Sequence, residues 1–254
     1  MLKFLQAIMS DNTPAEATQD FFLIGGQSNV GTNSNLVTVP TPTGRVLYSL
    51  MPISLTGVQP YKVWGGTNSI DFIHRVNDQY GWINHLLRDI ADTGQSLSFY
   101  KYGLGGSQLT AGSVPYMSYG RTNLKNNGLN AWNNFKANNA NPRLIFLWCQ
   151  GFTDGLNEAN SNGYDVTLSD WFAEVRAHFS EPNMPIIFNS LSNNATASTF
   201  RAIIKAKQII VSNESINNIL VDADNLDYQA DNSHFSNVGV VGLSDRYLVQ
   251  YNTI

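Results

Sequence analysis

One cysteine, Cys149, stands among 254 residues, so an internal disulfide is excluded. The compartment stays open, because secreted proteins can also lack disulfides. Charge is scarce as well. Only 13% of residues are Asp, Glu, Lys or Arg, against about a quarter in a typical domain. Asn is plentiful instead, which predicts a polar but weakly charged surface. A net charge of −4 offers no basic stripe for a nucleic-acid partner. No run of like charge suggests a polybasic membrane anchor. No apolar run approaches the roughly 18–20 residues that span a bilayer. Residues 1–9 carry one Lys and a brief apolar patch, too short for a secretory signal with a cleavage site. The expected placements are the cytosol, an extracellular, periplasmic or virion location reached by another route, or a mature form whose signal has been removed. His and Cys spacings that would hold zinc are missing. Gly65-Gly66 and Gly105-Gly106 lack the G-K-[ST] ending of a phosphate loop. Asn194 and Asn213 begin glycosylation sequons, read here as coincidence in an Asn-rich chain.

What is present is apolar and regularly spaced. Hydrophobic residues make up 43% of the chain, ample for a core. Five short apolar runs read as buried parallel strands: Phe21–Ile24, Leu97–Tyr102, Arg143–Trp148, Ile186–Asn189 and Asn218–Asp222. Between them lie helical patterns. Trp82, Ile83, Leu86, Leu87 and Ile90 form one, and Leu168, Trp171, Phe172, Val175 and Phe179 another, with Thr167 or Ser169 available to cap it. Phe200 to Ile209 and Val238 to Val249 read as two more helices. Alternating strand and helix predicts a doubly wound α/β sheet. Residues 1–19 are set apart as an N-terminal extension and 20–254 as a single domain. Segments 31–80 and 107–127 read as long loops, whose aromatic residues suit the walls of a cleft, with cover for the sheet edge as the alternative.

The run Phe21–Ile24 ends abruptly in Gly25-Gly26-Gln27-Ser28-Asn29. Ligands bind open α/β sheets at the carboxyl ends of strands, which is where this serine falls. A serine hydroxyl needs a base within reach and a third group to orient that base. Asp231 and His234, three residues apart, can supply both. Alone the pair is a weak signal, since an Asp before a predicted helix is also a natural cap. Acyl transfer further needs donors for an oxyanion. The Ser28 N–H, an N–H at Gly105-Gly106 and the Gln150 side chain each follow a different predicted strand, so all three would meet at one rim.

Four blocks then resemble a known family. Gly26-Gln27-Ser28-Asn29-Val30-Gly31 looks like the nucleophile block of the SGNH hydrolases, in the branch of sialate O-acetylesterases and acetylxylan esterases. Gly105-Gly106-Ser107-Gln108-Leu109 is similar to the G-G-[ST]-x-L block after their second strand. Trp148-Cys149-Gln150-Gly151-Phe152-Thr153-Asp154 is similar to W-x-Q-G-E-[ST]-D, and Asp231 to Gly239 to D-x-x-H-F-S-x-x-G. Order and spacing agree from residue 20 to the end. The resemblance implies a three-layer α/β/α sandwich around a central five-stranded parallel sheet, flavodoxin-like in outline. It implies Ser28 as nucleophile, His234 as base and Asp231 as orienter. It places Ser28, Gly106 (or Gly105) and Gln150 in the oxyanion hole. The implied substrate is an acetylated carbohydrate, with no metal and no organic cofactor. The G-x-S-x-G elbow of α/β-hydrolases is absent around Ser28.

Further candidates surround these blocks. Gln27, Asn29, Ser107, Trp64 and His74 are the candidate substrate contacts. Asp154 reads as structural, Trp148 as core, Cys149 as a buried inert thiol, and His85 and His178 as solvated or capped. One departure stands out: Phe152 replaces the family's Glu, removing any role for a carboxylate there. That change, with the low charge, leaves room for a non-catalytic carbohydrate-binding or structural module on the same fold, including a component of a viral assembly. A lipase or thioesterase ranks last. Sugar, acyl position and oligomeric state are left open.

Overall fold

The computed structural model describes residues 18–31, 46–49, 62–64, 82–93, 97–103, 105–110 and 121–254. The first strand, β1 (Gln19–Gly26), is buried along nearly its whole length. Its side chains alternate between two helical layers. Phe21 and Leu23 enter one apolar cluster, Phe22 and Ile24 the other. A strand covered on both faces has no polar side to show, which is why its sequence is an unbroken apolar run.

Around β1 the sheet carries β2 (Val46–Ser49), β3 (Lys62–Trp64), β4 (Leu97–Gly103), β5 (Pro142–Cys149), β6 (Ile186–Asn189) and β7 (Asn218–Val221). Their order is β3-β2-β4-β1-β5-β6-β7. The five strands expected from the sequence form a contiguous parallel sheet, β4-β1-β5-β6-β7. Beyond β4 lie β2, parallel, and β3, antiparallel at the edge. Both belong to the segment read from sequence as a loop, so part of it does extend the sheet edge.

Among the described residues the α-helices are α1 (Ser28–Gly31), α2 (Trp82–Asp92), α3 (Arg121–Ala137), α4 (Glu158–Asn162), α5 (Tyr164–Phe179), α6 (Arg201–Ser212) and α7 (Asn237–Tyr251). Residues of α3, α5 and α6 pack on one face of the sheet, and those of α2 and α7 on the other. This is the expected three-layer α/β/α sandwich. Among the described residues no helix is long and apolar enough to cross a membrane.

Two helices differ from expectation. Helix α5 begins four residues before Leu168, at Tyr164 after Gly163, so Thr167 and Ser169 lie within it rather than cap it. Helix α3 occupies a stretch dominated by Asn and partly read as loop. Its buried stripe is Leu124, Gly128, Ala131, Trp132 and Phe135. Gly128 is there for space, since a Cβ at that point would lie 2.6 Å from Leu23 Cδ1. That close approach brings Trp132 and Phe135 onto Phe21, at ring separations of 5.8 and 5.4 Å.

The register positions the rim. Gly26 of β1 pairs with Gly103 of β4 on one side and Cys149 of β5 on the other. Three neighbouring strands therefore end at one level, and the chain leaving each emerges side by side. The crossing from β4 to β5 passes over β1, which makes this rim the topological switch point of the sheet.

Candidate active site

Gly26 turns the chain out of β1 with φ of 142°. A Cβ there would lie 2.1 Å from the Cys149 carbonyl oxygen, so the close approach of β1 to β5 requires glycine. The Gln27 N–H donates to that carbonyl at 3.1 Å, and Ser28 follows at the start of α1.

The second component lies after β7. Residues 227–236 fold back on themselves. Gln229 N–H donates to the His234 carbonyl (2.8 Å), Ser236 N–H to the Asp227 carbonyl (3.1 Å), and Tyr228 bridges Phe235. Asn232, at φ of 52°, forms the tip. Asp231 Oδ1 accepts the backbone N–H groups of Ser233 (2.9 Å) and His234 (3.0 Å). Its other oxygen lies 2.6 Å from His234 Nδ1. Asp231 does not cap the last helix. That role falls to Ser236, whose hydroxyl accepts from Gly239 N–H at 3.1 Å.

His234 Nε2 then lies 3.0 Å from Ser28 Oγ. A carboxylate on Nδ1 fixes the tautomer with the proton there, leaving Nε2 to accept from the serine. Burial pushes the Asp231 carboxyl upward, but the His234 side chain and the two backbone N–H groups outweigh it and bring its pKa down to about 2. Asp231 is therefore ionised throughout the neutral range, ready to stabilise positive charge on the imidazole. Ser233 Oγ also lies 3.0 Å from His234 Nδ1.

The other sequence-named residues fall into three groups. Gly105 and Gly106 are exposed at the rim. A Cβ on Gly105 would be 3.9 Å from Ser28 Cβ, and Gly106, at φ of 67°, faces open space. Gln150 is buried, and its amide nitrogen donates to the Asp154 carboxylate and to the Ser107 carbonyl (3.3 Å), while its oxygen accepts from Tyr164 OH (2.7 Å). Both amide protons are thus engaged within the protein. For Gln150 to reach an oxyanion, the longer bond to Ser107 must be exchanged for it.

Gln27, Asn29 and Ser107, expected as substrate contacts, are buried. Gln27 Oε1 accepts from Thr153 N–H at 3.4 Å. Asn29 donates to the Ser233 carbonyl at 3.1 Å, accepts from Phe235 N–H at 3.4 Å, and takes the Trp82 indole N–H on its own carbonyl at 3.0 Å. The Gln27 and Asn29 side chains thus hydrogen-bond across the walls of the site. Trp64 belongs to β3, with its side chain outside the description, and His74 lies outside the described residues.

Phe152 packs its ring against the apolar cluster of α3, α5 and α6. Trp148 is core, and burial pushes the Cys149 thiol up to about 12, which keeps it protonated and inert. His85 is buried rather than solvated. Burial first, and then Arg88, lower its pKa. Sequence reading did not find the partners of Asp154, which come from segments far apart in the chain. Among the described residues no group of three His, Cys, Asp or Glu side chains is placed to hold a metal.

The family model for SASA, carbohydrate esterase, sialic acid-specific acetylesterase, matches residues 76–253, well over half of the chain. That span includes the Gly105, Gln150 and His234 blocks and begins after the Ser28 block. No curated protein sequence matches the chain. A solved protein from Arabidopsis thaliana superposes with a TM-score of 0.69 at 16% identity, over 92% of this chain and 98% of the other. NanS gives 0.65 at 14% identity, over 93% and 97%. A carbohydrate acetylesterase from Xanthomonas citri gives 0.61 at 15% identity, over 92% of this chain and 56% of its own. At these identities the structures show a shared SGNH-type fold. With the matched family model, they lead to one assignment: the chain belongs to the SASA family of carbohydrate esterases.

Proposed function

We propose that this protein is a serine esterase that removes acetyl, or another small acyl group, from a carbohydrate hydroxyl. One observation carries the reading: Ser28, His234 and Asp231 lie in hydrogen-bond sequence, at 3.0 and 2.6 Å, on the rim where three strands end. His234 Nε2 takes the Ser28 proton as Oγ attacks the ester carbonyl. The carbonyl π pair moves to oxygen, and the Ser28 and Gly106 (or Gly105) N–H groups receive the oxyanion. Gln150 joins them only by releasing Ser107. The tetrahedral species collapses and the C–O bond to the sugar breaks. His234 delivers its proton to the departing sugar oxygen. Water, deprotonated by the same nitrogen, attacks the acyl-serine. Its collapse releases the acid and returns the proton to Ser28.

Phe152 does not stand in the way of this scheme. Asp231 already orients His234, so no carboxylate is needed at position 152. Acetylated sialic acid, the substrate class in the family's description, and other acetylated sugars are the first natural substrates to try.

The test is hydrolysis of p-nitrophenyl acetate, butyrate and octanoate by wild type and Ser28→Ala. Turnover that depends on Ser28 and falls with chain length is the expected result. A preference for octanoate would point to a lipase or thioesterase. No turnover by folded wild type, together with binding of acetylated sugar, would favour the binding module.

A further inference from the structure

Asp154 is fully buried, yet among the described residues its partners are hydrogen-bond donors rather than a cation. Taking a carboxylate out of water is costly unless its oxygens are satisfied. Here four donors meet them. Leu109 N–H and Thr110 N–H each lie at 2.9 Å, the Thr110 hydroxyl at 2.5 Å, and the Gln150 amide completes the set. The first three belong to the turn after β4, the last to the exit of β5. One carboxylate therefore ties together the two segments that flank Ser28.

The support beneath Asp154 is stiff. Gly155 N–H donates to the Gly151 carbonyl at 2.9 Å, and the Ser161 hydroxyl donates to the Asp154 carbonyl at 3.1 Å. A Cβ on Gly155 would fall 2.1 Å from Ser198 Oγ, so this turn sits hard against the neighbouring loop. From that base the carboxylate grips Leu109 and Thr110, three to five residues from the glycines beside Ser28. Gly105 and Gly106 carry no side chain to anchor themselves, and Gly106 adopts a left-handed conformation with open space around it. Their orientation must be imposed from farther along the turn.

We propose that Asp154 is the positioning residue of the oxyanion site. It fixes the direction of the N–H groups at Gly105-Gly106 and parks the Gln150 amide beside them. Asp154 touches no substrate, and its effect passes through the turn it holds. The inference rests on the esterase reading above.

The test compares wild type, Asp154→Asn and Thr110→Val with p-nitrophenyl acetate, alongside active-site titration with a fluorophosphonate and amide hydrogen exchange. Asn has the size of Asp but places an NH2 group among four donors, so at least one loses its acceptor. Asp154→Asn should lower kcat per titrated site roughly 10- to 100-fold, short of or equal to the loss of one oxyanion donor. KM should stay within about threefold, because a ground-state carbonyl asks less of the hole than an oxyanion. Exchange at Leu109 and Thr110 should quicken. Thr110→Val removes one bond and should lower kcat about 3- to 10-fold, and this milder variant decides the matter if Asp154→Asn does not fold. A merely structural role would reduce the titrated fraction and leave kcat per site unchanged, and that result overturns the proposal. So does wild-type exchange at both amides in folded Asp154→Asn. Absence of Ser28-dependent turnover in wild type would instead remove the esterase reading and the oxyanion role with it, while the exchange rates still report whether Asp154 holds the turn.

Discussion

The Asn29 side chain donates to the carbonyl of Ser233, 204 positions away, at 3.1 Å. Its oxygen accepts from Phe235 N–H at 3.4 Å, so one amide clasps the segment on either side of His234. The Ser28 turn and the His234 loop are thereby joined beside the 3.0 Å contact between them, and in the proposed mechanism this clasp sets that contact. Asn29→Ala should lower kcat about tenfold with little change in KM, since misplacing a reacting group weakens the transition state more than the complex. It should also cost about 1–2 kcal/mol of stability for the lost bonds. Steady-state kinetics and urea unfolding on one preparation check both. Unchanged kcat with lowered stability would show that the clasp does not set the contact.

Asp231 gives a pH signature with a definite sign. Its carboxyl titrates at about 2 in the folded protein, below the roughly 3.9 of an unfolded chain. The folded state thus prefers the ionised form. The resulting stabilisation is complete above the unfolded value and is lost as pH falls through the folded one. The difference in urea midpoint between wild type and Asp231→Asn should therefore hold steady from pH 7 to about 5, then shrink toward pH 2. The effect should be modest, because the side chain is 47% exposed and solvent screens the pairing. A difference that fails to shrink between about pH 4 and pH 2 would show that the fold does not favour the ionised form of this carboxylate.

The contrast between β1 and α3 shows which features the chain displays locally. Phe21–Ile24 is legible because burial on both faces leaves a continuous apolar run. Helix α3 is hidden because two places in its buried stripe are Gly128 and Ala131, which pack by closeness and add little to an apolar pattern. Strands β2 and β3 are four and three residues long, too short for alternation to register. The same division runs through the site. Asp231 and His234 are near neighbours, and spacing alone suggests that they meet. Asn29, Gln27 and Asp154 act through partners tens to hundreds of residues distant, and nothing local marks them as buried. Their position beside Ser28 therefore suggests substrate contact, while the long-range bonds of Gln27 and Asn29 become visible only in the fold.

Asp20 offers a control at the other end of β1. It is fully buried, and Arg143 donates to it from Nε at 2.7 Å and Nη2 at 2.8 Å, with Tyr251 OH at 2.5 Å. The hydrogen bond to Asp20 is the main cause raising the Arg143 pKa. Removing the carboxylate takes this acceptor from the half-buried Arg143 guanidinium and from the buried Tyr251 hydroxyl. Asp20→Ala should cost about 3 kcal/mol. Since Ser28 lies about 20 Å along the strand, kcat per titrated site should match wild type. A parallel fall in kcat would mean that the two ends of the sheet are coupled.

Two glycines at the rim should respond to very different degrees to the same substitution. At Gly26 the φ of 142° is barred to L side chains, and a Cβ would stand 2.1 Å from the Cys149 carbonyl that receives the Gln27 N–H. Gly26→Ala must separate β1 from β5 or distort both. It should cost more than about 4 kcal/mol, in the range reserved for backbone clashes, and move Ser28 away from His234. At Gly106 the φ is 67° and nothing lies within 4 Å of a Cβ, so only the left-handed conformation resists. Gly106→Ala should cost about 1 kcal/mol and keep its N–H. Urea unfolding of both variants, followed by fluorophosphonate titration, separates the cases: little or no labelling for Gly26→Ala, and full labelling at a modestly slower rate for Gly106→Ala. Equal tolerance at both positions would contradict the close packing of β1 on β5 that delivers the serine to the rim.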